Sequence, residues 1–160
     1  MALAVNTSPI AQRILDSATE LFARKGFAAS STREIVEAAG VTKPMLYYYF
    51  QNKEGLCRAA LATFFESFHA KMRELFAKDV PPRQFLVSVV WLHIEHCNLH
   101  RDCARLFYSL MFGPEEDIEL FDLEKYTAVS SDLLRASVRR ACEVGLVRPE
   151  SEGTMYTALT

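Results

Sequence analysis

The sequence has no run of 18 apolar residues, so no segment is long and apolar enough to span a bilayer as a helix. Its opening, MALAVNTSPIAQR, lacks the basic stretch followed by a long apolar one that marks a secretory signal. The expected compartment is therefore the cytoplasm, with no membrane partner. Cysteine is scarce: Cys57, Cys97, Cys103 and Cys142 lie in helix-like segments without CxxC spacing, which suits reduced structural thiols better than a disulfide framework. No phosphate-binding glycine loop, Ser/His/Asp grouping or paired-carboxylate motif is present, so neither an enzyme nor a cofactor is predicted.

What is present is a chain of 160 residues, half of them apolar, with a mean hydropathy of +0.03, enough for one ordinary domain or two small ones sharing a core. The net charge of −2 is unevenly spread. Residues 1–60 hold seven basic against five acidic side chains, and residues 61–160 hold eleven against fifteen. A basic N-terminal face on an otherwise acidic molecule is compatible with that distribution.

Every strong periodicity is helical. Ile10, Ile14, Ala18, Leu21 and Phe22 recur on one face of a first helix, opened by Ser8 and Pro9 and closed by Gly26. In SSTREIVEAAG, Ser31 and Glu34 have capping-box spacing, Ile35, Val36 and Ala39 form an apolar stripe, and Gly40 suits a left-handed stop. Thr42 can cap a third helix with Pro44 in its first turn. Asn52 is placed to cap a longer helix over 53–78, bearing Leu56, Ala60, Phe64, Phe68, Met72 and Leu75. Further helices are predicted from Pro82 to Leu99, from Asp102 to Phe112, from about Leu123 to Gly145, and, in its first turns only, after Arg148. The predicted fold class is all-α.

Two short helices joined by a glycine turn, the second polar at its leading edge, describe a helix-turn-helix whose second helix can lie in a DNA major groove. The run KPMLYYYF sharpens that reading. Leu46 and Phe50, one turn apart, take the buried face, so Tyr47 and Tyr48 project outward near Lys43. Three consecutive helical side chains about 100° apart cannot all be buried. Exposed phenols beside a cation suit phosphate oxygens, sugar edges and thymine methyl groups. Tyr49 is the one of the three with a structural share.

The stretch TREIVEAAGVTKPMLYYYFQNKEGL, residues 32–56, resembles the signature of the tetracycline-repressor (TetR) family of bacterial transcription regulators, and RILDSATELFARKGFAASS before it resembles that family's first helix. The resemblance implies a three-helix DNA-binding domain over residues 1–52 and a helical effector-binding and dimerisation domain over 53–160. It implies that Thr32 and Arg33 meet phosphate or a groove edge, and that Lys43, Pro44 and Met45 lead the recognition helix toward the bases. Tyr47 and Tyr48 would grip backbone or thymine methyls. Tyr49 stands where relatives often carry histidine, and Lys53 would meet a phosphate at the start of the fourth helix. The implied partners are double-stranded DNA with an inverted-repeat operator, a small effector and a second copy of the chain. Relatives usually continue with two helices that form a dimeric four-helix bundle, so either the second domain is incomplete at its C-terminus or dimerisation uses another surface.

For the effector, the resemblance implies a small molecule whose presence moves the fourth helix and respaces the DNA heads. Candidate wall residues are Phe64, Phe68, Trp91, Phe107, Tyr108, Met111, Phe112 and Tyr126, with His93 or His96 orienting a polar group of a mostly apolar ligand. Apolar residues at helical spacing are core filling unless a cavity promotes them. Two other classes compete with the ligand-gated repressor. A helix-turn-helix module acting through protein partners explains the first half alone. A metal-binding helical enzyme would use His93, His96 and His100, whose i, i+3, i+7 spacing matches no known zinc signature, and leaves the tyrosines unexplained. A Cys97/Cys103 redox pair lacks a neighbour that would lower a thiol pKa.

Overall fold

The structure, a computed structural model, describes residues 8–78, 80–114 and 120–148. These residues form seven α-helices and no strand: α1 Pro9–Lys25, α2 Thr32–Ala39, α3 Lys43–Phe50, α4 Lys53–Phe76, α5 Pro82–Leu99, α6 Arg101–Met111 and α7 Leu123–Glu143. None of the described helices is long and apolar enough to cross a membrane. The further helix predicted after Arg148 lies outside the described residues.

Local chemistry explains the element boundaries. Pro9 takes the first turn of α1, where a missing N–H costs nothing, and the Gly26 N–H closes the helix on the Phe22 carbonyl at 2.9 Å. The capping box of α2 is complete: the Glu34 N–H donates to Ser31 Oγ at 3.2 Å, and the Ser31 N–H donates to Glu34 Oε2 at 3.0 Å. Hydrogen bonds from Lys25 and from Ser31 hold the Glu34 carboxyl down to about 2. Gly40 ends α2 at φ 62°, a left-handed conformation that a Cβ would disfavour. Thr42 precedes α3 in extended conformation without a side-chain cap, so α3 rests on Pro44 and on tertiary packing.

The turn from α3 to α4 is tighter than its composition suggests. Gln51 adopts φ 65°, the Asn52 N–H reaches back to the Phe50 carbonyl at 2.7 Å, and Asn52 Oδ1 accepts the Gly55 N–H at 2.6 Å. A Cβ on Gly55 would stand 2.2 Å from the Phe50 carbonyl oxygen, so the backbones approach this closely only because residue 55 is glycine. The sequence pattern identified Asn52 as the cap and left Gly55 without a role.

The described chain falls into two compact units. One takes the residues up to Phe65 together with His100–Leu123; the other takes Glu66–Leu99 and the residues from Glu124 onward. The physical reason lies in α1, which packs on α2 and α3 and is also covered by α6. From α6, Ala104, Leu106, Phe107 and Leu110 are buried, and Phe107 meets Phe65 of α4 edge-on at 4.9 Å. The first core therefore joins Ile14, Phe22, Ile35 and Leu46 to Leu56, Leu61, Leu106 and Phe121. The second is built on Phe68, Met72, Phe85 and Val89, with Leu133 and Leu134 of α7 against it. Helix α4 supplies residues to both.

Two outcomes follow from this packing. Leu46→Ala should lose about 2–5 kcal/mol through the cavity it leaves, and Gly55→Ala should destabilise the protein more than Gly40→Ala, whose strained φ costs about 1–2 kcal/mol; urea unfolding of the three variants checks the order. The Glu34 cap sets an acid limb. Because its folded-state pKa lies below the ordinary 4.5, its stabilisation is complete above that value and is lost as pH falls toward about 2. The Glu34→Gln variant should lack that part of the acid dependence in a pH series of urea midpoints.

Candidate nucleic-acid interface

Helix α3 is eight residues long and turns a single face inward. Leu46 is completely buried and Phe50 nearly so, while Lys43, Pro44, Tyr47 and Tyr48 face solvent. Tyr48 is 82% exposed and Tyr47 47%, unusual for rings of this size. Met45 is half-buried at the edge of the same surface. Tyr49 is turned elsewhere: its hydroxyl lies 3.0 Å from Ser8 Oγ at the start of α1, and its ring stands edge-on to Tyr48 at 5.0 Å. This ties Tyr49 to the fold of the head and lets it buttress Tyr48.

At the leading end of α2, Thr32 is half-buried and Arg33 projects outward. The Arg33 Nε–H donates to Glu37 Oε1 at 2.8 Å, one turn along the helix, and that carboxylate raises the guanidinium pKa through the hydrogen bond and its charge. Occupying Nε leaves the outer edge of the guanidinium for a planar acceptor.

Lys53 makes contacts within the fold that its sequence position does not announce. Its Nζ donates to the carbonyl oxygens of Phe27 and Ser30, each at 3.0 Å, and sits 4.2 Å above the Phe27 ring. The half-buried ammonium thus fastens the α1–α2 loop, because three donors on a flexible stem find two backbone acceptors and an aromatic face within reach. A loop role for this lysine carried no sequence signal, since the contact joins residues 26 apart.

The residues proposed for an effector are divided between the units. Phe64, Phe107 and Met111 belong to the first. Phe68, Trp91, His93, His96 and Tyr126 belong to the second. There the Phe68 ring meets His96 at 5.2 Å and His93 at 5.7 Å, and burial pushes the His93 pKa down, favouring a neutral imidazole. His96 is 1% exposed and Tyr126 is buried. Trp91 is 65% exposed, in line with Val87, Val90 and Ile94 on the outside of α5. Beside this group, His69 Nε2 lies 2.9 Å from Ser130 Oγ, and burial followed by the charge of Arg73 lowers its pKa.

His100 belongs to the first unit and its ring meets Phe64 at 6.2 Å, whereas His93 and His96 lie in the second. Among the described residues no three His, Cys, Asp or Glu side chains could hold a metal ion together. Burial and the neighbouring Asp102 push the Cys103 thiol up to about 11, the opposite of what a redox thiol needs.

A short helix held by two apolar side chains, presenting phenols and a lysine after a glycine-stopped helix, has the form of a helix-turn-helix. Residues 14–60 match the family model of bacterial regulatory proteins, tetR family. The chain is 35% identical over 94 residues to the HTH-type transcriptional repressor KstR2 of Rhodococcus jostii (strain RHA1), a match covering 59% of this chain and 46% of that protein. The chain thus spans about half the length of this curated relative. Among solved structures, a tetR-family regulatory protein from Rhodococcus RHA1 is 25% identical with a TM-score of 0.79, covering 96% of this chain and 80% of that one. The fatty acid degradation regulator FadR from Bacillus halodurans has a TM-score of 0.80 at 20% identity, covering 96% and 82%, a likeness of fold.

Lys53→Met should lower stability by about 1–3 kcal/mol, since two carbonyls lose a charged donor, whereas Tyr48→Ala should stay within about 0.5 kcal/mol of the parent. Thermal unfolding of the two variants side by side checks this, and equal midpoints would remove the loop-fastening role of Lys53.

Proposed function

We propose that this chain is a ligand-responsive transcriptional repressor that binds an inverted-repeat DNA operator as a homodimer in the cytoplasm and is released by a small, mostly apolar effector. The observation that carries the DNA-binding half is the division of α3 into a buried face, Leu46 and Phe50, and an exposed face, Lys43, Pro44, Tyr47 and Tyr48. Large rings left in water on a helix this short have no folding purpose. Against a duplex they cover sugar edges and thymine methyls while their hydroxyls and Lys43 Nζ reach phosphate. Thr32 and Arg33 extend the contact from the start of α2. One such helix reads only a few base pairs, so useful specificity calls for two related heads on two half-sites.

Gating rests on the continuity of α4 from Lys53, beside the head, to Phe68 and Met72 in the second core. A stiff helix carries a displacement at one end to the other. Phe68 with His93 and His96 combines an apolar surface with imidazole groups able to orient a polar end of a ligand. The family's regulators act by binding DNA, and catalysis forms no part of this reading.

The test is binding of a duplex enriched from a random library by the parent protein. Affinity should fall steeply with salt, Tyr48→Ala should bind more weakly while fully folded, and Lys43→Ala should flatten the salt dependence by about one unit of slope. Parent-like binding by both variants would sink the assignment of α3 as the reading helix. A stoichiometry of one chain per enriched duplex by sedimentation would sink the dimer. For gating, any compound that weakens the duplex must itself be weakened by the duplex by the same factor, about 5- to 150-fold for common couplings.

A further inference from the structure

Away from the exposed face of α3, four side chains of the first unit form a continuous stack that ends on the start of α2. The Arg58 Nη2–H of α4 donates to the Leu120 carbonyl at 2.8 Å, with its guanidinium carbon 5.7 Å from the centre of the Phe121 ring. The Phe121 ring, completely buried, meets Phe27 edge-on at 4.8 Å and 83°. Phe27, also against Phe22 at 5.4 Å, lies under the Lys53 ammonium. Lys53 in turn holds the carbonyls of Phe27 and of Ser30, the residue before the α2 cap. Two cations one turn and a half apart on α4 therefore grip a pair of phenylalanines, one from the α1–α2 loop and one from the segment entering α7.

We propose that Arg58 and Phe121 are positioning residues for DNA binding, setting the attitude of the α1–α2 loop and through it the direction in which α2 and α3 meet the duplex. The argument is geometric. The cap of α2 is an exposed two-residue device, so what orients it is the loop behind it, and that loop is anchored by the Phe27 ring and by its backbone carbonyls. Phe121 supplies the surface that the Phe27 ring rests on, and Arg58 fixes the backbone that carries Phe121.

The proposal rests on the DNA-binding reading, and the experiment separates the two. Arg58→Ala and Phe121→Ala are compared with the conservative Arg58→Lys and Phe121→Leu on the duplex enriched by the parent. Measurements are made well below each unfolding midpoint and corrected for the folded fraction. Both alanine variants should bind roughly tenfold more weakly, within the usual range of coupling between sites, with the salt slope unchanged because no phosphate contact is lost. The conservative variants should recover most of the affinity, and hydrogen exchange in Arg58→Ala should rise locally at residues 27–31. Parent-like affinity in folded Arg58→Ala and Phe121→Ala, with only the unfolding midpoints lowered, would reduce the stack to a stabilising contact. A slope reduced by about one unit in Arg58→Ala would overturn the proposal differently, making Arg58 a direct phosphate contact. Absence of salt-dependent binding by the parent would remove the DNA-binding reading, and this proposal with it.

Discussion

An eight-residue helix is not stable in water by itself, because nucleation fixes several residues before any hydrogen bond repays it. Helix α3 exists because Leu46 and Phe50 are buried in the core that it shares with α1 and α2. That burial does two things at once. It holds the helix, and by the 100° step between residues it forces Tyr47 and Tyr48 into solvent. Stability and presentation of the interface are therefore the same interaction seen from opposite faces, and the tyrosines need no additional support beyond the edge-on contact with Tyr49.

The surrounding features serve to keep that short helix in register. Gly40 and Gly55 allow turns that a Cβ would open, one by its left-handed conformation and one by the closeness of the Phe50 carbonyl. Lys53 gathers the α1–α2 loop, and α6 packs on α1 as well. The compact unit that holds α3 is consequently larger than three helices. It includes the first half of α4 and all of α6, so a change in α6 or at Phe121 acts on the same core that seats Leu46. In the second core the notable pattern is imidazole among aromatics, with His93 and His96 around Phe68. Burial favours the neutral form of His93, which can donate or accept a hydrogen bond without the cost of a buried charge.

The helical class, the element order and the turn residues were legible in the chain itself, because capping and periodicity are local. Ser31 and Glu34 are three residues apart, Gly40 follows its helix directly, and Leu46 and Phe50 are one turn apart; each determines its geometry within a few bonds. The outward direction of Tyr47 and Tyr48 followed from the same helical step. What only the tertiary structure decided involves partners distant in sequence. Tyr49 finds Ser8 across 41 residues, Lys53 turns to carbonyls 26 and 23 residues before it, and Arg58 reaches Leu120 across 62. The grouping of α6 in one unit with α1, α2 and α3 likewise depends on which helix covers which. Periodicity states that a face is apolar or that a cation lies on a given turn, but the identity of the surface opposite it is set by packing of the whole chain.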